Sequence, residues 1–562
     1  MASEWTRKRK TGVATLVVGL ILMLMCHVAG SWELFRFGGH RGSLRSESLG
    51  YDLAFYDARP CKPEIGRAVI YEGFSSSTQV YFPLALTLLR SGYTVRLVSH
   101  SGSPNSPVEM SYKSHPVEST EVTQDFISDN PSLPLFLIGH SEGTRYALQT
   151  GNEISAVDGV IVMSPVSAAL DSQRPANVLI LVAENDFDSI KLQAYVLLMS
   201  GAGMLNPEVG ELYGDLSAGT ARMAEILPES NHFNIFLKAG SQRKILNWIN
   251  QISGNPETQV RVSSAMKFPI LALCALLGAA VAVTGIGLVF PRIPASASEI
   301  PPNPPLQRVE NKKPLQKEEN EEPSQKKENE KPLQKGGNNK TIPAWALLML
   351  TAIGWVLAAL LANYITFAEK IPLLVYARVL VFFAIAAVPL LITAVVRPSL
   401  GAGIPRGSWK ARATLMGLTA TLLLFDHWLV GVTPAGQRLL WFLFAGLITG
   451  EYFALDEFLR RSAQRATDWQ TGFALGLATS FIAALSVAGA AFFMSPPIGE
   501  FLTAGAVTLF VLMAACEIPA TYLFATTGDW FLSWWVRVTI FNGFLAGLVP
   551  LVTEAGFREM LH

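Results

Sequence analysis

Apolar residues along this chain occur in two patterns, short β-branched runs and long uninterrupted runs. The short runs fall within residues 52–253 and cover 68–71, 93–98, 135–138, 159–163 and 178–182. Stretches with helical periodicity separate them, and strands that alternate with helices predict a mostly parallel sheet. Residues 52–253 are therefore predicted to form one α/β domain.

The long apolar runs have the length that crosses a bilayer. The first covers 11–30 and follows the basic residues 7–10, which is typical of a signal anchor or of a signal peptide. Its length favours a retained anchor over residues 1–30, whereas the small residues at its end offer a cleavage point after Ala29. Either outcome places the α/β domain across the membrane, and a second run, 268–290, is predicted to return the chain.

Residues 341–562 are predicted to form an all-α polytopic membrane domain of about seven helices. Its apolar runs cover 342–366, 371–396, 411–431, 438–459, 470–494, 500–526 and 533–553. Lys and Arg concentrate in the loops at 397–412 and 460–465 and are missing from 433–437 and 495–499. Because basic loops stay in the cytoplasm, the α/β domain is predicted to lie outside it, on a multi-pass protein of the plasma (inner) membrane.

Residues 291–340 separate the second apolar run from the polytopic part. They contain four nine-residue repeats, which begin at Pro305, Pro314, Pro323 and Pro332 and are rich in Lys, Glu and Asn. Such a segment cannot bury a core, so it is predicted to be a disordered cytoplasmic linker.

Composition excludes several classes of protein. Half of the 562 residues are hydrophobic, 16% are charged and the formal net charge is zero, so nothing indicates a nucleic-acid partner. Of the four cysteines only Cys61 lies outside the apolar runs, which excludes a disulfide framework and a Cys-rich metal site in the α/β domain. No metal or other cofactor is expected.

The motif that carries chemistry is Gly-His-Ser-Glu-Gly at 139–143. It lies between the strand predicted at 135–138 and a helical stretch at 144–149. A sharp turn from strand to helix projects the central serine above the sheet, and the helix amino terminus favours developing negative charge. Ser141 is therefore the predicted nucleophile.

A serine nucleophile needs a general base. The domain offers His100, His115, His140 and His232. His100 and His115 precede the motif, and His140 is part of it. The fold in which such an elbow occurs places its base after the serine in the chain, so His232 is the predicted base.

The acid that orients the base is expected just after a strand, between serine and histidine in the chain. Three carboxylates compete at the end of the run 178–182. Asp186 is preferred, Asp188 is second and Glu184 third, and the choice stays open at this stage.

With these residues in place, residues 68–250 resemble the α/β-hydrolase superfamily, particularly its serine esterases, lipases and peptidases. Segments 68–77, 92–103 and 177–186 are similar to its oxyanion strand and loop, its next strand and turn, and its acid strand. The resemblance implies that the backbone N–H groups of Phe74 and Glu142 form the oxyanion hole.

One departure from the superfamily concerns that oxyanion loop. Where the family usually has His-Gly, this chain has Glu72-Gly73. The backbone donor survives the change, but a carboxylate near a developing oxyanion is unfavourable unless it faces away or is paired.

Ionisable residues inside membrane spans are candidates for function. Four are singled out as a membrane-domain site, with ion pairs between helices as the alternative: Asp426, His427, Glu451 and Glu517. The segment 456–461 weakly resembles the first motif of CAAX-protease-like intramembrane proteins, but the only histidine after it is His562, so pairing of its acids with its arginines at a helix end is favoured.

Together these features predict a membrane-anchored serine hydrolase. It would cleave an ester, or an amide, of a lipid or lipid-linked substrate at the outer face of the membrane. Two alternatives remain: an acyltransferase that uses the same triad, and a transporter or receptor with a non-catalytic hydrolase-like domain. The oligomeric state is left open.

Overall fold

The computed structural model describes the α/β part of the chain and six long helices. The described ranges are 36–255, 343–361, 375–396, 437–463, 469–491 and 496–546, with short gaps at 75, 104, 107, 112, 129–130 and 167–169, and scattered positions within 7–25, 262–289 and 410–417. The linker 291–340 and most of the runs 268–290 and 411–431 lie outside them.

A nine-stranded sheet forms the α/β part. Its strands are β1 (His40–Ser46), β2 (Tyr51–Ala58), β3 (Gly66–Tyr71), β4 (Tyr93–Ser99), β5 (Leu135–His140), β6 (Val157–Met163), β7 (Val178–Asn185), β8 (Leu212–Tyr213) and β9 (Arg222–Asn231). Their order is β1-β2-β4-β3-β5-β6-β7-β9-β8, with parallel pairing from β4 through β9 and antiparallel strands only at the two edges. The predicted mostly parallel α/β sheet is confirmed, and the five predicted strands are β3 to β7.

Helices cover both faces of this sheet. They are α1 (Phe82–Ser91), α2 (His115–Ser128), α3 (Gly143–Glu153), α4 (Asp188–Ala202) and α5 (Ala239–Ile252). In β3, Ala68 and Ile70 belong to the hydrophobic cluster on one face, and Val69 and Tyr71 to the cluster on the other. A parallel strand buried on both faces reads as an unbroken apolar run, which explains why these strands were recognisable.

The helical part contains α6 (Ala344–Leu361), α7 (Val375–Val396), α8 (Gln437–Ala463), α9 (Trp469–Ala491), α10 (Pro496–Thr527) and α11 (Trp530–Ala546). Among the described residues three segments are long and apolar enough to cross a membrane: Val379–Val396, Gln470–Ala490 and Gly505–Thr527. Shorter apolar helices cover Lys10–Leu22 and Trp345–Leu361. Large apolar side chains face outward from these helices; Val395 is 69% exposed and Leu447 74%.

The turn between α10 and α11 falls inside a sequence with little loop character. Asp529 accepts a hydrogen bond of 3.0 Å from the backbone N–H of Phe531, which caps the start of α11. Its carboxylate also forms a bidentate pair with Arg412, at 2.8 and 2.9 Å. The break is therefore stabilised by one side chain that serves both as a cap and as an ion-pair partner.

Candidate active site

Ser141 lies at the sharp turn between β5 and α3. Its φ is +51°, in the left-handed region that a non-glycine residue seldom adopts. A Cβ on Gly143 would collide with the backbone of Tyr71 in β3, so only glycine allows α3 to start this close to the sheet. The local geometry is that of a nucleophile elbow, and the strain is concentrated at the residue whose side chain is displayed.

The structure brings three of the predicted residues into one hydrogen-bonded line. Nε2 of His232 is 3.0 Å from Oγ of Ser141, and Nδ1 of His232 is 2.8 Å from Oδ1 of Asp186. The side chain of Asp186 is fully buried and that of His232 is 12% exposed. An imidazole held in this way can take the serine proton at Nε2 while its other nitrogen donates to a carboxylate.

Asp186 is held by more than the histidine. Ser164 Oγ donates to Oδ2 at 2.5 Å, and the backbone N–H of Phe187 donates to Oδ1 at 2.9 Å. Burial alone raises the pKa of the Asp186 carboxyl, but the hydrogen bonds from His232 and Ser164 outweigh it and the pKa is lowered. The carboxylate is thus kept ionised beside the base.

The two competing carboxylates lie elsewhere. The side chain of Asp188 is fully solvent-exposed and lies 3.6 Å from Lys191, in the first turn of α4. Glu184 accepts a hydrogen bond of 2.8 Å from the backbone N–H of Glu229. The structure brings only Asp186 to the histidine.

His100 and His115 are buried and hydrogen-bonded inside the domain. His100 Nε2 is 2.8 Å from Ser119 Oγ, and burial followed by the charge of His115 lowers the pKa of His100 to about 3. His115 Nδ1 is 2.7 Å from Tyr146 Oη. Neither ring is within hydrogen-bond contact of Ser141 among the described contacts.

The predicted oxyanion loop lies directly on the elbow. A Cβ on Gly73 would come within 2.9 Å of His140 Nδ1 and 3.2 Å of the Ser141 Cβ. Phe74 follows Gly73, and Glu142 opens α3, so the two backbone groups implied by the resemblance flank Ser141. Glu72 is 4% exposed, so its carboxylate is buried rather than displayed to solvent.

Two exposed aromatic rings stand beside the base; we call them the apolar rim. Phe187 is 56% exposed and Phe233 72%, and each ring centroid is 5.4 Å from that of His232. Large apolar surface left in solvent next to reactive groups is typical of a binding surface for an apolar partner.

The oxyanion loop also reaches the helical part of the chain. Phe74, together with Met110, packs against the hydrophobic cluster formed by α6 to α11. One wall of the site is therefore in contact with helices that are far away in sequence.

The predicted membrane-domain residues have different outcomes. Asp426 and His427 lie outside the described residues, and Glu451 is exposed on α8. Glu517 is fully buried and pairs with Arg460 at 2.5 Å and with Arg537 at 2.7 Å. The structure thus does not bring Glu451 and Glu517 together.

The acids of α8 belong to the same buried network. Arg460 lies 3.9 Å from Asp456, the partner that the four-residue spacing predicts, and 2.5 Å from Glu457. Arg537 of α11 also pairs with Asp456, at 2.7 Å. The pairing is therefore between helices as well as within one, which is the arrangement that makes buried charges tolerable. In the described part of the chain no group of three or more His, Cys, Asp or Glu residues is arranged to hold a metal ion.

Sequence reasoning did not single out Ser164 or Tyr81. Ser164 follows β6, the strand adjacent to β7, so a polar residue at that strand end was a usable signal. Tyr81, whose hydroxyl is 2.8 Å from His140 Nδ1, had no such signal because its partner is 59 residues away.

Comparisons with known proteins cover the α/β part. The family model described as "Hydrolase_4: Serine aminopeptidase, S33" matches residues 63–196. No curated protein matches the chain in sequence.

Solved structures resemble the same part at low identity. An esterase domain from Rhodothermus marinus is 14% identical, covering 39% of this chain and 98% of its own, with a TM-score of 0.28. A carboxyl esterase from Bacillus coagulans is 11% identical (38% and 99% covered, TM-score 0.28), and an esterase from Mycobacterium marinum is 14% identical (43% and 90% covered, TM-score 0.30).

Proposed function

We propose that this chain is a membrane-anchored serine hydrolase that cleaves ester bonds of a lipid or lipid-linked substrate at the extracytoplasmic face of the plasma membrane. The observation that carries the proposal is the hydrogen-bonded line from Ser141 through His232 to Asp186. These side chains come from three separate loops, and the line joins a hydroxyl, an imidazole and a buried carboxylate in the arrangement that activates a serine.

The reaction follows from this geometry. Oγ of Ser141 attacks the ester carbonyl carbon as Nε2 of His232 takes its proton, and the oxygen that becomes negative accepts from the backbone N–H groups of Phe74 and Glu142. His232 then returns the proton to the leaving alcohol, and an acyl-serine remains. Water attacks the acyl carbon as Nε2 of His232 takes its proton, and His232 then gives that proton to Oγ of Ser141 as the acyl–oxygen bond breaks, which releases the acid and the free serine. Asp186 stays ionised throughout and stabilises the imidazolium that forms in each step.

Ser141 reactivity is tested with a fluorophosphonate probe on the full chain in detergent. Wild-type protein should be labelled, and Ser141→Ala and His232→Ala should lose the label. Ser189→Ala, at an exposed serine of α4, is the matched control and should label fully. Labelling of Ser141→Ala equal to wild type would refute the proposal.

A lipid substrate is supported by the apolar rim and by the apolar helices in the same chain. A chain tethered to a bilayer keeps its site within a few nanometres of membrane-bound substrate, which raises the effective concentration of that substrate. Phe187 and Phe233 give an acyl chain an apolar surface beside the base. The orientation rests on the distribution of Lys and Arg between the loops, which favours an extracytoplasmic α/β domain.

The rim is tested with two esters, p-nitrophenyl butyrate in solution and p-nitrophenyl palmitate in vesicles. Changing Phe187 and Phe233 together to serine should lower kcat/KM for the palmitate about tenfold or more, since burying one such ring is worth about 1.5–3 kcal/mol. Turnover of the butyrate should stay close to that of wild type. Equal losses on both esters would argue against an acyl-binding role.

A further inference from the structure

Three hydrogen bonds behind the nucleophile join the oxyanion loop to the loop of the base. The backbone N–H of Gly73 donates to Tyr81 Oη at 2.8 Å, Tyr81 Oη is 2.8 Å from His140 Nδ1, and His140 Nε2 is 2.8 Å from the backbone oxygen of His232. We call this series the Tyr81–His140 bridge. It begins one residue before the oxyanion donor and ends on the backbone of the base.

The direction of every bond in the bridge is determined by its end groups. The carbonyl oxygen of His232 only accepts, so Nε2 of His140 carries a proton. Burial, followed by the charge of the neighbouring His232 ring, lowers the pKa of His140 to about 3, so the ring is neutral and its Nδ1 accepts. Tyr81 must then donate to His140 and accept from Gly73, and burial raises its pKa, which keeps the phenol protonated.

The two rings of the bridge are buried and pack against one phenylalanine. Phe236 contacts both rings, with centroids 4.6 Å from Tyr81 and 4.8 Å from His140. The backbone oxygen of Gly73 accepts a hydrogen bond from Ser76 Oγ at 2.6 Å. Both polar groups of Gly73 are therefore bonded, and both rings of the bridge are held by the same phenylalanine.

We propose that Tyr81 and His140 are positioning residues that hold the Phe74 N–H and the His232 backbone in one fixed arrangement around Ser141. The inference rests on the proposed function and adds to it, since neither residue touches the reacting atoms. A site that holds its oxyanion donor and its base at a fixed distance is preorganised for a transition state in which both act at once. Without the bridge each loop keeps its own contacts, but no hydrogen bonds fix the position of one loop relative to the other.

The test uses full-length protein in detergent, p-nitrophenyl butyrate turnover, and titration of active sites with the fluorophosphonate. Tyr81→Phe keeps the ring packing and removes only the hydroxyl, which leaves a buried donor and a buried acceptor without their partner. We expect kcat per titrated site to fall about ten- to a hundredfold with KM nearly unchanged. Tyr93→Phe is the matched control, because its buried hydroxyl bonds Asn250 at 2.8 Å in the same domain, and it should leave kcat unchanged.

Variants at His140 separate positioning from general packing. His140→Leu should cause a loss similar to Tyr81→Phe, and the double variant should be no slower than the slower single variant, because both break one series of bonds. In His140→Gln the amide oxygen and nitrogen can replace the accepting and donating ring nitrogens, so most of the lost kcat should return.

Two outcomes would overturn this inference alone: an unchanged kcat per titrated site in Tyr81→Phe, or losses that multiply in the double variant. A lower number of titrated sites with an unchanged kcat per site would assign the bridge to folding only, and would also overturn it. Failure of the wild-type protein to react with the fluorophosphonate, or labelling that survives Ser141→Ala, would overturn the proposed function and this inference together.

Discussion

Replacing Ser164 with alanine isolates one hydrogen bond of the candidate triad. The change removes a hydroxyl that donates to Asp186 Oδ2 at 2.5 Å, and it alters almost no volume. A hydrogen bond to a charged group contributes about 1.5–3 kcal/mol, so Ser164→Ala should destabilise the folded domain by that amount at pH 7. The same change should raise the pKa of Asp186 in the folded state, because it removes a donor to the ionised form.

The pH dependence of this loss follows from linkage. The pKa of folded Asp186 lies below its ordinary value of 3.8, so its contribution to stability is present above that value and is lost as pH falls through the folded pKa. In the variant the folded-state pKa of Asp186 is higher, so this contribution to stability is smaller. The difference in stability from wild type should therefore be largest at neutral pH and shrink as pH falls through the folded-state pKa values.

Pulse proteolysis in urea, applied to the full chain in detergent, measures the stability of the α/β domain at each pH. Ser91→Ala is the matched control, because Ser91 is buried and donates to a neutral backbone oxygen, that of Thr87, at 2.9 Å. Its effect should be smaller, about 1 kcal/mol, and independent of pH. A loss in Ser164→Ala that does not change between pH 7 and pH 3.5, or that equals the loss in the control, would refute this account of Asp186.

Three further predictions concern charge and topology. The rings of His100 and His140 are neutral in the folded state, because their pKa values are lowered from 6.5 to about 3. Their contribution to the free energy of unfolding is complete above pH 6.5 and should fall by about 2 kcal/mol for each ring by pH 5. A stability profile that is flat from pH 7 to pH 4 would contradict their burial as neutral groups. Arg537→Met leaves the buried carboxylates of the helical part with one guanidinium fewer, so the free energy of unfolding should fall by about 3–5 kcal/mol. An unchanged thermal midpoint of the full chain in detergent would count against the network. An impermeant maleimide should label the exposed Cys61 in intact cells, and after Cys61→Ser a cysteine at Gln316 should be labelled only once the cells are permeabilised; the reverse pattern would invert the topology.

How much of the fold was predictable depended on burial. The parallel strands are buried on both faces and appear in the sequence as continuous apolar runs. By contrast β1 has only Ser46 buried among seven residues and carries two arginines, so nothing in its apolar pattern indicated a strand. β1 also precedes residue 52, where the predicted domain began.

The candidate site divides in a similar way. Ser141 was recognisable because its signal is local, a Gly-x-Ser-x-Gly turn between a strand and a helix. The acid could only be ranked, with Asp186 first, because three carboxylates occur within five residues. Their directions in three dimensions distinguish Asp186, which is buried, from Asp188, which is fully exposed. Catalysis by these residues remains a prediction, and the roles of Phe74 and Glu142 as oxyanion donors do too.

In the helical part, ion pairs within one helix could be predicted from the sequence, but ion pairs between helices could not. Spacing of four residues predicted that Asp456 and Glu457 pair with Arg460 and Arg461 of their own helix. Arg460 does lie 3.9 Å from Asp456, but it is closer to Glu457, at 2.5 Å. The contacts of that network to Glu517 and Arg537 depend on how α8, α10 and α11 pack, which no short-range pattern specifies.

The contact between Phe74 and the helical cluster bears on the order in which the candidate site is completed during synthesis. The α/β domain is complete at residue 255, whereas the helices on which the oxyanion loop rests begin at residue 344 and end at 546. A nascent chain therefore contains Ser141, Asp186 and His232 well before the helices that contact Phe74 exist. Under the proposed function, a molecule that stalls at the translocation machinery, or loses its carboxyl-terminal half to a protease, would keep the Tyr81–His140 bridge but lose the apolar packing of Phe74. Assembly of the helices would then complete the packing of the oxyanion loop, and a misplaced hydrolase would be less active without any inhibitor or pro-segment.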